Sequence, residues 1–121
     1  MTGITTLSDR ELLELAAKFC GYEQVSSIIH PKNGIRVGCS GKLFWWNSLT
    51  DPGDRARACD EHGIAVIPWG TCVIAKVQNQ SGKGYVFREE AYSLLPNRTI
   101  AANYAATRLM AMMQLQKEKG K

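Results

Sequence analysis

A chain of 121 residues with 45% hydrophobic and 21% charged side chains has enough apolar material for one buried core and not for two. That balance excludes wholesale disorder, and no apolar run approaches the roughly 18–20 residues needed to span a bilayer. The charge, 15 Lys and Arg against 11 Asp and Glu or +4, is mixed in sign along the chain and forms no dense basic stripe of the kind that tracks phosphates.

One domain over 1–121 is therefore expected, with about 1–7 and 117–121 as flexible ends. The opening "MTGITTLSDRELLEL" lacks a basic segment followed by an apolar one, so it does not read as a secretory signal, and the reducing cytoplasm is the expected compartment. In that compartment Cys20, Cys39, Cys59 and Cys72, far apart and without a C-x-x-C pair, read as small buried hydrophobes. The competing reading joins Cys59 and His62, spaced C-x-x-H, to Cys39 and Cys72 as a zinc set. It is the weaker one, because Cys59 and His62 fall inside a helical segment and the other two would be single ligands on strands. Neither a metal nor a cofactor is expected.

The first element is a helix with legible ends. Ser8-Asp9-Arg10-Glu11 is a capping box, Leu12, Leu15, Ala16, Phe19 and Cys20 recur at helical spacing, and Gly21 suits a left-handed stop. Strand patterns follow in Val25–His30, in "IRVGC" at Ile35–Cys39 and in "KLFWW" at Lys42–Trp46. Turn signals separate them at Lys32–Gly34 and Ser40-Gly41, so a small antiparallel meander is expected. A second helix opens at Thr50 or Asp51 with Pro52 in its first turn and Asp54 at the favourable end of the dipole. It runs to about His62, where Gly63 stops it, with a thin apolar face of Ala56, Ala58 and Cys59.

Ile64–Ile67 and Cys72–Ala75 are unbroken apolar runs, the pattern of strands covered on both faces. Asn79–Gly84 reads as a loop and Tyr85–Glu89 as the strand completing a hairpin. The last helix extends from about Asn97 or Arg98 to Lys117 and carries a stripe of Ala102, Ala105, Ala106, Leu109, Met112 and Met113. The methionine-rich end of that stripe could be a deformable binding face, although core packing accounts for the same spacing. No internal sequence repeat, linker or low-complexity segment is evident. The expected fold is α/β (α+β), a three-layer α-β-α sandwich with a mainly antiparallel sheet of five or six strands and three helices.

Three stretches, "RELLELAAKFCGY", "WNSLTDPGDRARACDEHGIAV" and "AATRLMAMMQLQK", resemble the phage ABA sandwich domain family, small proteins encoded by phages and prophages. The middle block, with Trp46, Asn47, Leu49, Asp51, Gly53 and Asp54, is the most specific part of the resemblance. It implies helices on both faces of an antiparallel sheet. "RARACDEH" replaces a more apolar run in the second helix, and the resemblance brings no assigned activity and no functional residue.

Chemistry is hard to find. Cys59 and His62 lie one helical turn apart without a third group or an oxyanion site, and Asp51 and Asp54 sit where helix capping already employs them. "SGKG" at Ser81–Gly84 is followed by a strand, whereas a phosphate loop leads into a helix. An enzyme is not expected. What remains is surface. Trp45 and Trp46, adjacent on a strand, must point to opposite faces, so one can be scaffold while the other contacts a partner. Trp46 is assigned to the scaffold, and Trp45, Asn47 and Trp69 are the candidate binding residues. The leading expectation is a phage- or prophage-encoded accessory protein that binds a host or phage protein, self-association being compatible with it. The alternative is a nucleic-acid-binding factor using the tail lysines Lys117, Lys119 and Lys121.

Overall fold

The first helix, α1 (Asp9–Phe19), begins where the capping box places it. The Glu11 N–H donates to Ser8 Oγ at 3.2 Å, and the Ser8 N–H donates to the Glu11 carboxylate at 3.1 Å. Two of the backbone donors orphaned at a helix start are thereby satisfied. These bonds from Ser8 also hold the Glu11 carboxyl below its ordinary value. The computed structural model describes residues 7–30, 34–69, 72–78, 84–90 and 98–119. Within them α1 is followed by strands β1 (Glu23–His30), β2 (Gly34–Cys39) and β3 (Lys42–Trp46). Helix α2 (Pro52–His62) then precedes β4 (Ile64–Trp69), β5 (Cys72–Gln78) and β6 (Gly84–Glu90), and α3 (Arg98–Lys119) is the last element among the described residues. The turn segment 31–33 and the loop 79–83 lie outside the described residues.

The class is the expected α/β, with three helices and antiparallel strands. The strands form two three-stranded meanders, β1-β2-β3 and β4-β5-β6, where one continuous sheet was expected. The chain thus runs twice through the same order, a helix and then three strands. Both leading helices stop at a left-handed glycine, Gly21 at φ +81° and Gly63 at φ +68°. The repetition is one of element order, which is why no repeat of residues reveals it.

α3 lies at the centre. It packs against α1, against α2 and against all three strands of the second sheet. Ala101, Ala102, Asn103, Ala105, Ala106, Thr107, Leu109, Met110 and Ala111 are all buried. A helix enclosed on nearly every side needs small or apolar residues all round, and the alanines allow its neighbours to come close. The expected stripe therefore describes only part of what is buried, while Met112 and Met113 at its far end are half-buried. The helix also continues through Lys119, past the expected stop at Lys117. Tyr104 donates its hydroxyl to Asp9 Oδ2 at 2.8 Å, fastening α3 to the start of α1.

One core cluster runs through the whole arrangement. Ala16 and Ala17 of α1, Ile35, Val37 and Trp46 of the first sheet, and Val73 and Ala75 of the second meet Leu109 and Met110 of α3. In the first sheet the pleat sends Ile35, Val37 and Trp46 inward and Arg36, Gly38, Leu43 and Trp45 outward. In the second sheet Ile64, Val73, Ala75 and Val77 are buried together on one side. Its opposite side, expected to be fully roofed, is graded. Cys72 is buried and Ile74 half-buried, while Ala65 and Lys76, directly opposed, are exposed. An apolar run reports hydrophobic side chains, and short ones such as Ala65 can remain on a wet face at little cost.

Candidate functional site

The register of β2 and β3 decides between the two tryptophans. Trp46 stands opposite Ile35 and is 2% exposed, with the Tyr22 ring edge-on to it at 5.6 Å and to Phe44 at 5.3 Å. Trp45 stands opposite Arg36 on the other face and is half-buried, with the Arg36 guanidinium carbon 5.5 Å from its ring centroid. That distance is within cation–π range, and the stacking orders both side chains on an open sheet surface. The scaffold role of Trp46 and the outward placement of Trp45 are as the strand alternation requires.

Two aliphatic side chains complete the face. Leu43 is 59% and Val25 46% exposed, the only exposed large hydrophobics among the described residues. They meet over Gly38, where an added Cβ would lie 3.1 Å from Leu43 Cδ2 and 3.4 Å from Val25 Cγ1. The glycine leaves a dip in the sheet into which both residues lean. Trp45, Arg36, Leu43 and Val25 thus form one outward surface of an aromatic ring, a fixed cation and two aliphatic groups.

Asn47, expected beside Trp45 as a contact residue, is employed elsewhere. It is buried, and its Oδ1 accepts the N–H groups of Leu49 at 3.1 Å and Thr50 at 3.3 Å. An Asn side chain that closes a turn in this way substitutes for a missing backbone partner and is not presented to solvent. Its own N–H donates to Asp54 Oδ2 at 2.9 Å, so the end of β3 is stapled to the first turn of α2. Asp51 caps that helix, accepting from Gly53 N–H at 2.8 Å and Asp54 N–H at 3.3 Å, and Asp54 is also paired with Arg57. Both carboxylates of the pair considered for acid–base work are thereby committed to the junction.

Behind the junction lies a polar network that sequence reading missed. Asn103, fully buried on α3, donates from Nδ2 to the Leu49 carbonyl at 3.2 Å and accepts on Oδ1 from Arg55 Nε at 3.0 Å. The Thr107 hydroxyl donates to the Asn103 carbonyl at 2.7 Å. Its single proton being spent there, the 2.7 Å contact between Ser48 Oγ and Thr107 Oγ1 has Ser48 as the donor. The available signal was the spacing of Asn103 and Thr107, two polar residues one turn apart within an alanine-rich helix.

The remaining sequence candidates are dispersed. Trp69 ends β4 opposite Cys72, and its side chain lies outside the described residues, as does Lys121. Lys117 and Lys119 are exposed in the last turn of α3, where they complement the negative end of the helix dipole. Cys59 and Cys20 are buried thiols, pushed up chiefly by burial to about 11 and about 12. Cys20 Sγ donates to Met110 Sδ at 3.6 Å. Thiols so placed stay protonated and inert at neutral pH. The His62 ring packs against Phe19 with centroids 4.9 Å apart, and its buried Nε2 has no hydrogen-bond partner among the described residues. Among the described residues no three His, Cys, Asp or Glu side chains come together as a metal site, and no helix is long and apolar enough to cross a membrane. No protein-family model matches the chain, and no curated protein and no solved structure matches it either.

Proposed function

We propose that this chain is a non-catalytic binding protein that engages a host or phage protein through the outer face of the β1-β2-β3 sheet. The observation that carries this reading is the grouping of Trp45, stacked with Arg36, beside the exposed Leu43 and Val25. Aromatic and arginine anchors bordered by aliphatic groups are the side chains that dominate binding energy at protein interfaces. The origin as a phage or prophage accessory protein, acting in the bacterial cytoplasm, rests on the resemblance carried by Trp46, Asn47, Leu49, Asp51, Gly53 and Asp54.

The test is affinity purification from the host with quantitative mass spectrometry, comparing the native chain with the double variant Trp45→Ala, Leu43→Ser. Because both side chains lie outside the core, the variant keeps its circular dichroism while any specific partner is lost. A partner recovered equally with both chains would refute this choice of face.

A nucleic-acid reading is favoured by one observation, the cation Arg36 stacked on an outward indole. Bases stack on aromatic rings, and a phosphate would engage the guanidinium. Retention on single- and double-stranded DNA across a salt series separates the two readings. A steep loss of affinity with salt supports nucleic acid, whereas no retention at low salt removes it.

A further inference from the structure

On the second sheet, away from the Trp45 face, a cleft of about 270 Å³ opens between α2, β4, β5 and the start of α3. Its walls are Val66, Pro68, Val73 and Ala102, and its polar lining is Arg55, Arg98 and Thr99. From this arrangement we infer that the cleft binds a small oxyanion, a carboxylate or phosphate carried on a compact apolar body.

Arg55 is built into the fold for such a role. Its Nε donates to Asn103 Oδ1 at 3.0 Å, and Asn103 is itself locked by its bond to the Leu49 carbonyl at 3.2 Å. Holding the guanidinium by Nε fixes its plane and leaves the two terminal nitrogens for another acceptor. Among the described residues no carboxylate forms an ion pair with Arg55; the nearest acid along α2, Asp54, is engaged by Arg57 and by the Asn47 N–H. A planar fork whose orientation is set by a buried amide matches the geometry of carboxylates and phosphates. Arg98, on the same cleft, supplies a second cation, and the Thr99 hydroxyl supplies a neutral donor. The aliphatic walls give one end of the site an apolar surface, which selects for an apolar body on the ligand.

The probes are phenyl phosphate and benzoate, with neutral benzamide as the control, titrated into the full chain labelled with nitrogen-15. Saturable shifts of the Val66, Thr99 and Ala102 amide resonances are expected with one or both anions and not with benzamide. Response to phenyl phosphate alone assigns the ligand to phosphate esters, and response to benzoate alone assigns it to carboxylates. Arg98→Gln, an exposed substitution that leaves the core untouched, is expected to weaken binding about tenfold. Arg55→Lys keeps the charge but loses the fork and the Nε bond to Asn103, so a comparable loss of binding together with a lowered melting temperature is expected. The inference is overturned if neither anion gives saturable shifts in the native chain, if benzamide binds equally well, or if Arg98→Gln binds as tightly as the native chain.

Discussion

Ser48 and Thr107 are 59 residues apart in sequence and joined by a 2.7 Å hydrogen bond in which Ser48 is the donor. The direction follows from the commitment of the Thr107 proton to the Asn103 carbonyl. It makes the two residues unequal. Thr107→Val keeps the shape but leaves the buried Ser48 hydroxyl and the Asn103 carbonyl each short of a partner, for a loss of roughly 1–3 kcal/mol. Ser48→Ala removes a donor and leaves the Thr107 donation in place, so it costs less, about 1 kcal/mol. In urea unfolding the double variant is expected to lose less than the sum of the singles, by about 1 kcal/mol. Simple additivity would mean that the two hydroxyls do not communicate.

The two tryptophans separate in the same assay. Trp46 is almost wholly buried against Tyr22 and Ile35, so Trp46→Ala should cost about 3–5 kcal/mol. Trp45→Ala removes a half-buried ring from an open face and should cost under about 1 kcal/mol. Equal losses would show that the outer face is as much a part of the packed interior as the inner one.

Gly34 offers a backbone test. It sits at φ +85° at the start of β2, and an added Cβ would collide with the Trp46 carbonyl and come within 2.6 Å of Asn47 Cβ. The β3 backbone and the turn residue that stapling to Asp54 holds in place cannot both retreat. Gly34→Ala is therefore expected to lose roughly 2–4 kcal/mol, from left-handed strain plus overpacking. Gly41→Ala, at φ +81° with nothing within 4 Å of the added atom, suffers the strain alone and is expected to lose about 1–2 kcal/mol. Matching losses would exclude the steric contribution.

What could be read from the chain was what neighbours along it decide. The Ser8–Glu11 capping box, Asp51 with Pro52, and the glycine stops at 21 and 63 are each settled within four residues, and the structure has them all. Alternation likewise placed Trp45 and Trp46 on opposite faces. The partition into two sheets was not readable, because hydrogen bonding between distant strands leaves no mark in local spacing. Nor was the burial of Asp54, which accepts the N–H of Asn47 in addition to its pairing with Arg57. Asn47 itself was misplaced at the binding face because an exposed Asn and one closing a turn look alike until the donors at Leu49 and Thr50 are located. The Arg55–Asn103 pair spans 48 residues and joins two helices, a relation that only the fold creates.

The buried acids of the core set an alkaline limit. Burial pushes the Cys20 thiol up to about 12 and the Cys59 thiol to about 11, each from an ordinary value of 9.0, and the Tyr22 phenol to about 12 from 10.0. In each case the folded chain holds its proton to a higher pH than the unfolded chain does. The associated stability is therefore whole below about pH 9 and drains away as pH rises toward 11 and 12. Urea midpoints are expected to be level from neutrality to pH 9 and to fall above it, and Cys20→Ala should flatten part of that fall while lowering the plateau. The same burial orders the reactivity of the four cysteines toward a thiol reagent at pH 8. Cys39, half-buried beside Ser40, should be modified first in the native chain, and Cys20, Cys59 and Cys72 only as fast as the protein opens. Four equal rates without denaturant, or an unfolding midpoint indifferent to pH between 9 and 11, would show that these thiols are not sealed in the core.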